Sequence, residues 1–198
     1  MNYTKFQRVF VALTEGKMRV ILTGDAAIDA EKGMTMDAGN DILIRLYGAE
    51  DHSADLAALR ERGVAIKLAM DVNASEIEAF VRDNFSAIWA DEARFALMRR
   101  TCYIAVEGTR LVGFAFIQAT APEFFGPIGV LPDCRGRGIA SALLHRAVMA
   151  MREKGFKYMV AGAVRGPMAR IIARHYGTIE IPDSIGSYGD LIDPGIVD

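Results

Sequence analysis

Residues 128–144 read Ile128-Gly129-Val130-Leu131-Pro132-Asp133-Cys134-Arg135-Gly136-Arg137-Gly138-Ile139-Ala140-Ser141-Ala142-Leu143-Leu144, a strand that runs into a glycine-rich turn and leaves it as a helix. The first amides of a helix have no internal acceptor and point outward. With the helix dipole behind them they form a site for an anion. Gly136 and Gly138 keep the backbone bare, so that a phosphate can come close. Arg135 and Arg137 add positive charge beside it. The expectation is a pyrophosphate site built from Arg135, Gly136, Arg137, Gly138, Ile139, Ala140 and Ser141.

The neighbouring residues narrow the choice of pyrophosphate. A dinucleotide fingerprint would need a third glycine or alanine where this chain has Ser141. It would also need an acid near the end of the next strand to hold a ribose. That strand, residues 158–164, is followed by Arg165. The lysine of a nucleoside-triphosphate loop is missing as well. Upstream, Gly126, Pro127 and Gly129 interrupt the strand over residues 124–130. Glycine and proline inside a strand pattern mark a bulge or the close approach of another backbone.

From Gly63 onward the periodicities predict the order β-α-α-β-β-β-α-β-α-β, with a last strand at residues 188–192. Ile139, Leu143, Ala147 and Met151 recur every four residues on a helix that Gly155 ends. Ser75 and Glu78 have capping-box spacing ahead of Ile77, Phe80 and Val81. A further helix is expected over residues 91–100. Hairpin strands followed by a β-α-β crossover imply a mixed sheet covered by helices. Residues 1–62 are less regular: two strands joined by Glu15-Gly16, a loop over residues 25–40, a strand over 42–47 and a short helix from Ser53.

The Val130-Leu131-Pro132 turn, the run Arg135-Gly136-Arg137-Gly138-Ile139-Ala140 and the element order resemble the GNAT superfamily of acyl-CoA-dependent N-acyltransferases. The resemblance covers residues 63–198. It implies an α/β fold with a mixed, mostly antiparallel central sheet flanked by helices, and leaves residues 1–62 as a β-rich N-terminal extension of unknown role. It implies that a bulge splays two parallel strands and that pantetheine pairs with Ile128, Gly129 and Val130. Acetyl-CoA is then the co-substrate, and its acetyl group passes directly to a primary amine of a small molecule or peptide. A non-catalytic acyl-CoA-binding or assembly module is the alternative.

An amine attacks a thioester only when neutral, so a general base is required. Glu123, just before the interrupted strand, is the first candidate; Asp91 and Glu92 read more simply as acids in a first helical turn. The family's leaving-group tyrosine would fall at Ile172 or Ala173, neither of which donates a proton. His175 and Tyr176 are the nearest substitutes. Trp89 reads as core, and Cys134 as a small loop residue, since the family transfers acyl groups directly.

Composition removes other classes. A net charge of -2 gives no footprint for nucleic acid or an anionic membrane surface. Two cysteines exclude a disulfide scaffold. His52, His145 and His175 are far apart in sequence, so no metal site is expected. Without a signal-peptide core or a long apolar run, a cytoplasmic protein is expected, with a homodimer left open.

Overall fold

The computed structural model describes residues 8–14, 17–23 and 39–184. The chain divides into two compact units, Met1–Ala38 with Tyr188–Asp198, and Gly39–Ser187. In the first unit, β1 (Arg8–Thr14) and β2 (Lys17–Thr23) pair antiparallel, with Val11 opposite Val20. The loop expected over residues 25–40 lies outside the described residues as far as residue 38, and the strand expected over 188–192 lies wholly outside them.

The second unit is a sheet with helices on both faces. Its strands are β3 (Ile42–Arg45), β4 (Val64–Leu68), β5 (Cys102–Glu107), β6 (Arg110–Ile117), β7 (Phe124–Val130), β8 (Tyr158–Ala161) and β9 (Thr178–Glu180). They lie in the order β4-β5-β6-β7-β8-β3-β9. Only β7 and β8 pair in parallel; every other neighbouring pair is antiparallel. This is the mixed, mostly antiparallel sheet that the sequence implies. The boundary expected between Arg62 and Gly63 falls inside the unit. β3 is inserted between β8 and β9, and Ile44, Leu46 and Leu59 are buried in the same core as the later elements.

One face carries α1 (Ser53–Glu61), α4 (Ile139–Glu153) and α5 (Gly166–His175). The four-residue recurrence on α4 puts Ile139, Leu143, Ala147 and Met151 into this core, with Leu144 and Val148 beside them. Each large apolar side chain buried there contributes about 1.5–3 kcal/mol. The other face carries α2 (Ala74–Asn84) and α3 (Ala87–Met98), packed through Ile77, Val81, Ala90, Ala93 and Leu97 against Phe114 and Phe116.

Local details depart from expectation where side chains find other partners. α2 starts at Ala74 with no side-chain cap, so Ser75 and Glu78 make no capping box. Glu78 instead binds Arg82 at 2.6 Å and Arg94 at 2.7 Å, an inter-helix bridge that joins α2 to α3. α3 starts four residues before the expected Asp91, because Ser86 caps it by accepting from the Trp89 amide at 3.2 Å.

Candidate active site

The fork between β7 and β8 is set by β7's interruption. The parallel pairing consists of Phe124 opposite Val160 and Phe125 opposite Ala161. The Val160 amide donates to the Glu123 carbonyl at 2.9 Å at the closed end. Beyond Phe125 the two strands no longer pair. At that point the β6–β7 register shifts, taking up Gly126 and Pro127 as an irregularity opposite Phe116.

Ladder geometry decides which backbone groups face the fork. The Leu131 amide donates to the Val112 carbonyl at 3.0 Å, and Val130 stands opposite Gly113. Hydrogen-bonded and non-bonded pairs alternate in an antiparallel ladder. Gly129 therefore exchanges its amide and carbonyl with Phe114 on β6, while the polar groups of Ile128 and Val130 point away from β6, into the gap. Of the three residues expected to meet pantetheine, two present their backbone and Gly129 has a different role. A Cβ on Gly129 would stand 2.5 Å from Cε1 of Phe85 and 2.6 Å from Cε1 of Phe114. Only glycine lets those rings close over β7.

The open end of the fork leads to the glycine-rich turn. Gly136 and Gly138 adopt φ of 75° and 85°, left-handed values natural to glycine. Gly138 is the N-cap of α4 without a side-chain cap, and the first bond closing the helix runs from the Ala142 amide to the Gly138 carbonyl at 3.0 Å. The amides of Ile139, Ala140 and Ser141 are thus without intrahelical acceptors, as an anion site requires. The turn is braced by the β5–β6 hairpin: Arg137 pairs with Glu107 at 2.5 Å and Arg110 with Asp133 at 2.8 Å. Arg135 donates from Nε to the Val130 carbonyl at 3.1 Å, tying the turn to the fork. A further cation follows α1: Nη2 of Arg62 would lie 3.9 Å from a Cβ on Gly138. Reading residues 1–62 as a separate extension hid Arg62; its place directly after a helix of the same unit is what brings it to the turn.

The candidate proton-handling groups separate into two places. Glu123 is exposed, with its carbonyl closing the fork. Glu92 on α3 accepts from Thr120 Oγ1 at 2.5 Å, and burial raises its carboxyl above the usual range against the opposing effect of that bond. His175 and Tyr176 lie elsewhere, at the end of α5 against α1 and α4. Tyr176 is buried, its hydroxyl 2.6 Å from Nδ1 of His145, and burial pushes its phenol well up. Among the described residues, no hydrogen bond or ring contact joins His175 or Tyr176 to β7. Cys102 is also buried and its thiol is pushed up to about 12, so it is no nucleophile.

The three histidines, though distant in sequence, meet in the fold. His52 and His145 stack with centroids 3.7 Å apart, and His175 stands edge-on to both at 5.2 and 4.6 Å. The expectation that they are too scattered to share a metal is corrected by this geometry: the N-terminus of α1, the middle of α4 and the end of α5 converge on one face.

A mixed sheet forked at a bulge, opening onto a bare helix N-terminus, defines an acyltransferase-type fold. The profile of the Acetyltransferase (GNAT) family matches residues 66–173, more than half of the chain, and the chain belongs to that family. It is similar to a mycothiol acetyltransferase of Nocardiopsis dassonvillei, 40% identical over 76 residues, which are 38% of this chain and 22% of the relative. The matched stretch thus spans about a fifth of that relative's length. Among solved structures it is similar to a GCN5-related glucosamine N-acetyltransferase region of a fungal multi-domain GH3 β-N-acetylglucosaminidase. That match has a TM-score of 0.59 at 10% identity and covers 88% of this chain and 30% of the other. A GNAT acetyltransferase from Colwellia psychrerythraea superposes with a TM-score of 0.50 at 16% identity, over 72% of this chain and 53% of the other. Both likenesses concern the fold. Among the described residues no helix is long and apolar enough to cross a membrane.

Proposed function

We propose that this chain transfers an acetyl group from acetyl-CoA directly to a primary amine of a small molecule or peptide. The observation that carries the reading is the continuity of the fork with the uncapped N-terminus of α4. Backbone groups of Ile128 and Val130 line the first, and bare amides from Ile139 to Ser141 line the second. This fits a donor with a pyrophosphate followed by an extended amide-bearing arm. Acetyl-CoA supplies the activated thioester; the chain supplies placement and proton handling. The arm, held at the turn and running toward the closed end of the fork, meets Val130 first and Ile128 second. The Ile128 amide is then nearer the reacting end than the Val130 amide, and is the donor to the thioester oxygen as it gains charge.

The acceptor amine enters from the α2–α3 face and loses a proton to Glu92. A carboxyl raised by burial holds a proton better than an exposed one, so it suits a base working near neutrality. Glu123 is the competing base, exposed and closer to the fork in sequence. Tyr176 is held by His145 and is not free to protonate the departing thiolate. That same observation favours the second reading, a non-catalytic acyl-CoA binder.

Titration calorimetry with acetyl-CoA and with NAD, followed by a thiol-release assay over a panel of amines, tests the proposal. Binding of acetyl-CoA alone, with thiol release for at least one amine, is expected. No acetyl-CoA binding refutes the donor, and binding without release for any amine favours the second reading. Gly138→Asp, which puts a negative side chain at the turn, should abolish acetyl-CoA binding; unchanged binding refutes the pyrophosphate assignment.

A further inference from the structure

We propose that His52, His145 and His175 form a binding site for one divalent first-row transition cation, with Zn2+ as its probe, that ties α1, α4 and α5 together. One ring nitrogen from each histidine lies within 4.8 Å of the others. Imidazole is a preferred ligand for such ions, and three imidazoles with one oxygen make a tetrahedral zinc set. Water supplies that oxygen, since Oδ2 of Asp55, 3.0 Å from Nδ1 of His52 and 4.0 Å from Nε2 of His145, stays beside the cluster as a hydrogen-bond partner.

The hydrogen bonds orient the rings as ligands are oriented. Metal-bound histidines donate their second ring N–H to a carboxylate or another oxygen. Here Nδ1 of His52 faces Asp55, and Nδ1 of His145 faces the Tyr176 hydroxyl at 2.6 Å. Their Nε2 atoms are left over, and Nε2 of His52 is buried with no hydrogen-bond partner at all. A buried polar atom without a partner costs stability, and a cation would satisfy it. His145 is 1% exposed, stacked on the His52 ring and held at Nδ1 by the Tyr176 hydroxyl. A cavity of about 250 Å³ lined by Glu50, His52, His175 and Tyr176 lies beside the cluster and provides an entry path.

Tetrahedral zinc–nitrogen bonds place ligand nitrogens about 3.3 Å apart. Coordination therefore requires the cluster to contract and the His52–His145 stack to open by rotation of a ring. Each neutral ring binds through the nitrogen that carries no proton and keeps the N–H on the other, so no proton is displaced from a neutral ring and no redox step is involved.

The test uses the full-length chain without a histidine tag, stripped with chelator and titrated with ZnCl2 and, separately, CoCl2. One equivalent of zinc per chain is expected, with a melting temperature several degrees higher. Cobalt should give the intense visible bands of a tetrahedral centre. His52→Ala and His175→Ala should each weaken zinc binding at least tenfold. Absence of stoichiometric zinc uptake overturns the proposal, as does uptake unchanged in both variants. The cobalt spectrum of the wild-type chain decides independently should either variant fail to fold: weak octahedral bands overturn the site. Acetyl-CoA binding by the stripped protein is read separately, so failure here leaves the acetyltransferase reading unaffected.

Discussion

Mild acid should loosen the second unit through His145 before its surface ion pairs are lost. His145 is 1% exposed, and burial is the main reason its pKa falls from 6.5 to about 4. The rings of His52 and His175 add to the fall, and Asp55 opposes it. Tyr176, the remaining group in contact, is neutral. The unfolded chain therefore binds a proton from pH 6.5 downward that the folded chain refuses until pH is near 4. Stability from this source is complete above 6.5, declines by up to about 1.4 kcal/mol per pH unit below it, and is gone near 4. The interval amounts to about 3 kcal/mol, a large part of an ordinary domain's stability. His175, also lowered by burial, acts in the same direction. Urea unfolding followed by fluorescence of Trp89, the chain's one tryptophan, at pH 7, 5.5 and 4.5 with chelator present, measures it. His145→Gln should flatten the loss between pH 6.5 and 4.5. Other titrations, including that of Glu92, occur in both proteins and cancel in the comparison. Parallel losses in wild type and variant would refute the reasoning.

Three further perturbations probe the site. Gly129→Ala drives a methyl into Phe85 and Phe114, at 2.5 and 2.6 Å, and should destabilise by about 1–3 kcal/mol, seen as a lower melting temperature. An unchanged melting point would mean that the rings do not close over β7. Arg62→Ala should weaken acetyl-CoA binding about tenfold in calorimetry, worth about 1.4 kcal/mol, with stability unchanged; wild-type affinity would remove Arg62 from the turn. Glu92→Gln should lower kcat about 10²-fold or more. Because burial raises the Glu92 carboxyl, the wild-type rate should rise with pH through that raised value. This acid limb should vanish in the variant, and its survival there would move the base to Glu123 or elsewhere.

The interrupted strand and the glycine-rich turn were legible because they are written in local chemistry. Gly126, Pro127, Gly136 and Gly138 impose the irregularity and the turn on their own few residues, whatever packs around them. The face of α4 follows from periodicity alone. Elements placed by tertiary contact were harder to read. β3 is four residues long and gains its identity only by filling the space between β8 and β9. Its membership moves the unit's start to Gly39 and brings Arg62 to the glycine-rich turn. Ser75 and Glu78 have capping-box spacing, but α2 already begins at Ala74 and Glu78 pairs with two arginines instead.

The histidines show why elimination by spacing is weak. A metal motif read along a chain presumes that its ligands come from one turn or one helix, whereas here three elements each contribute one ring. The same packing bears on catalysis. Tyr176 follows directly on α5, but its hydroxyl is turned into the α1–α4 face and held by a buried histidine. The end of α5 is thus committed to structure, and the proposed base is sought on the α3 side of the sheet, where Glu92 and Thr120 meet. A free phenol would have linked donor and acceptor handling in one residue. Its diversion separates them in the proposed reaction: the fork and turn would take the donor, and the amine would approach Glu92 from the α2–α3 side.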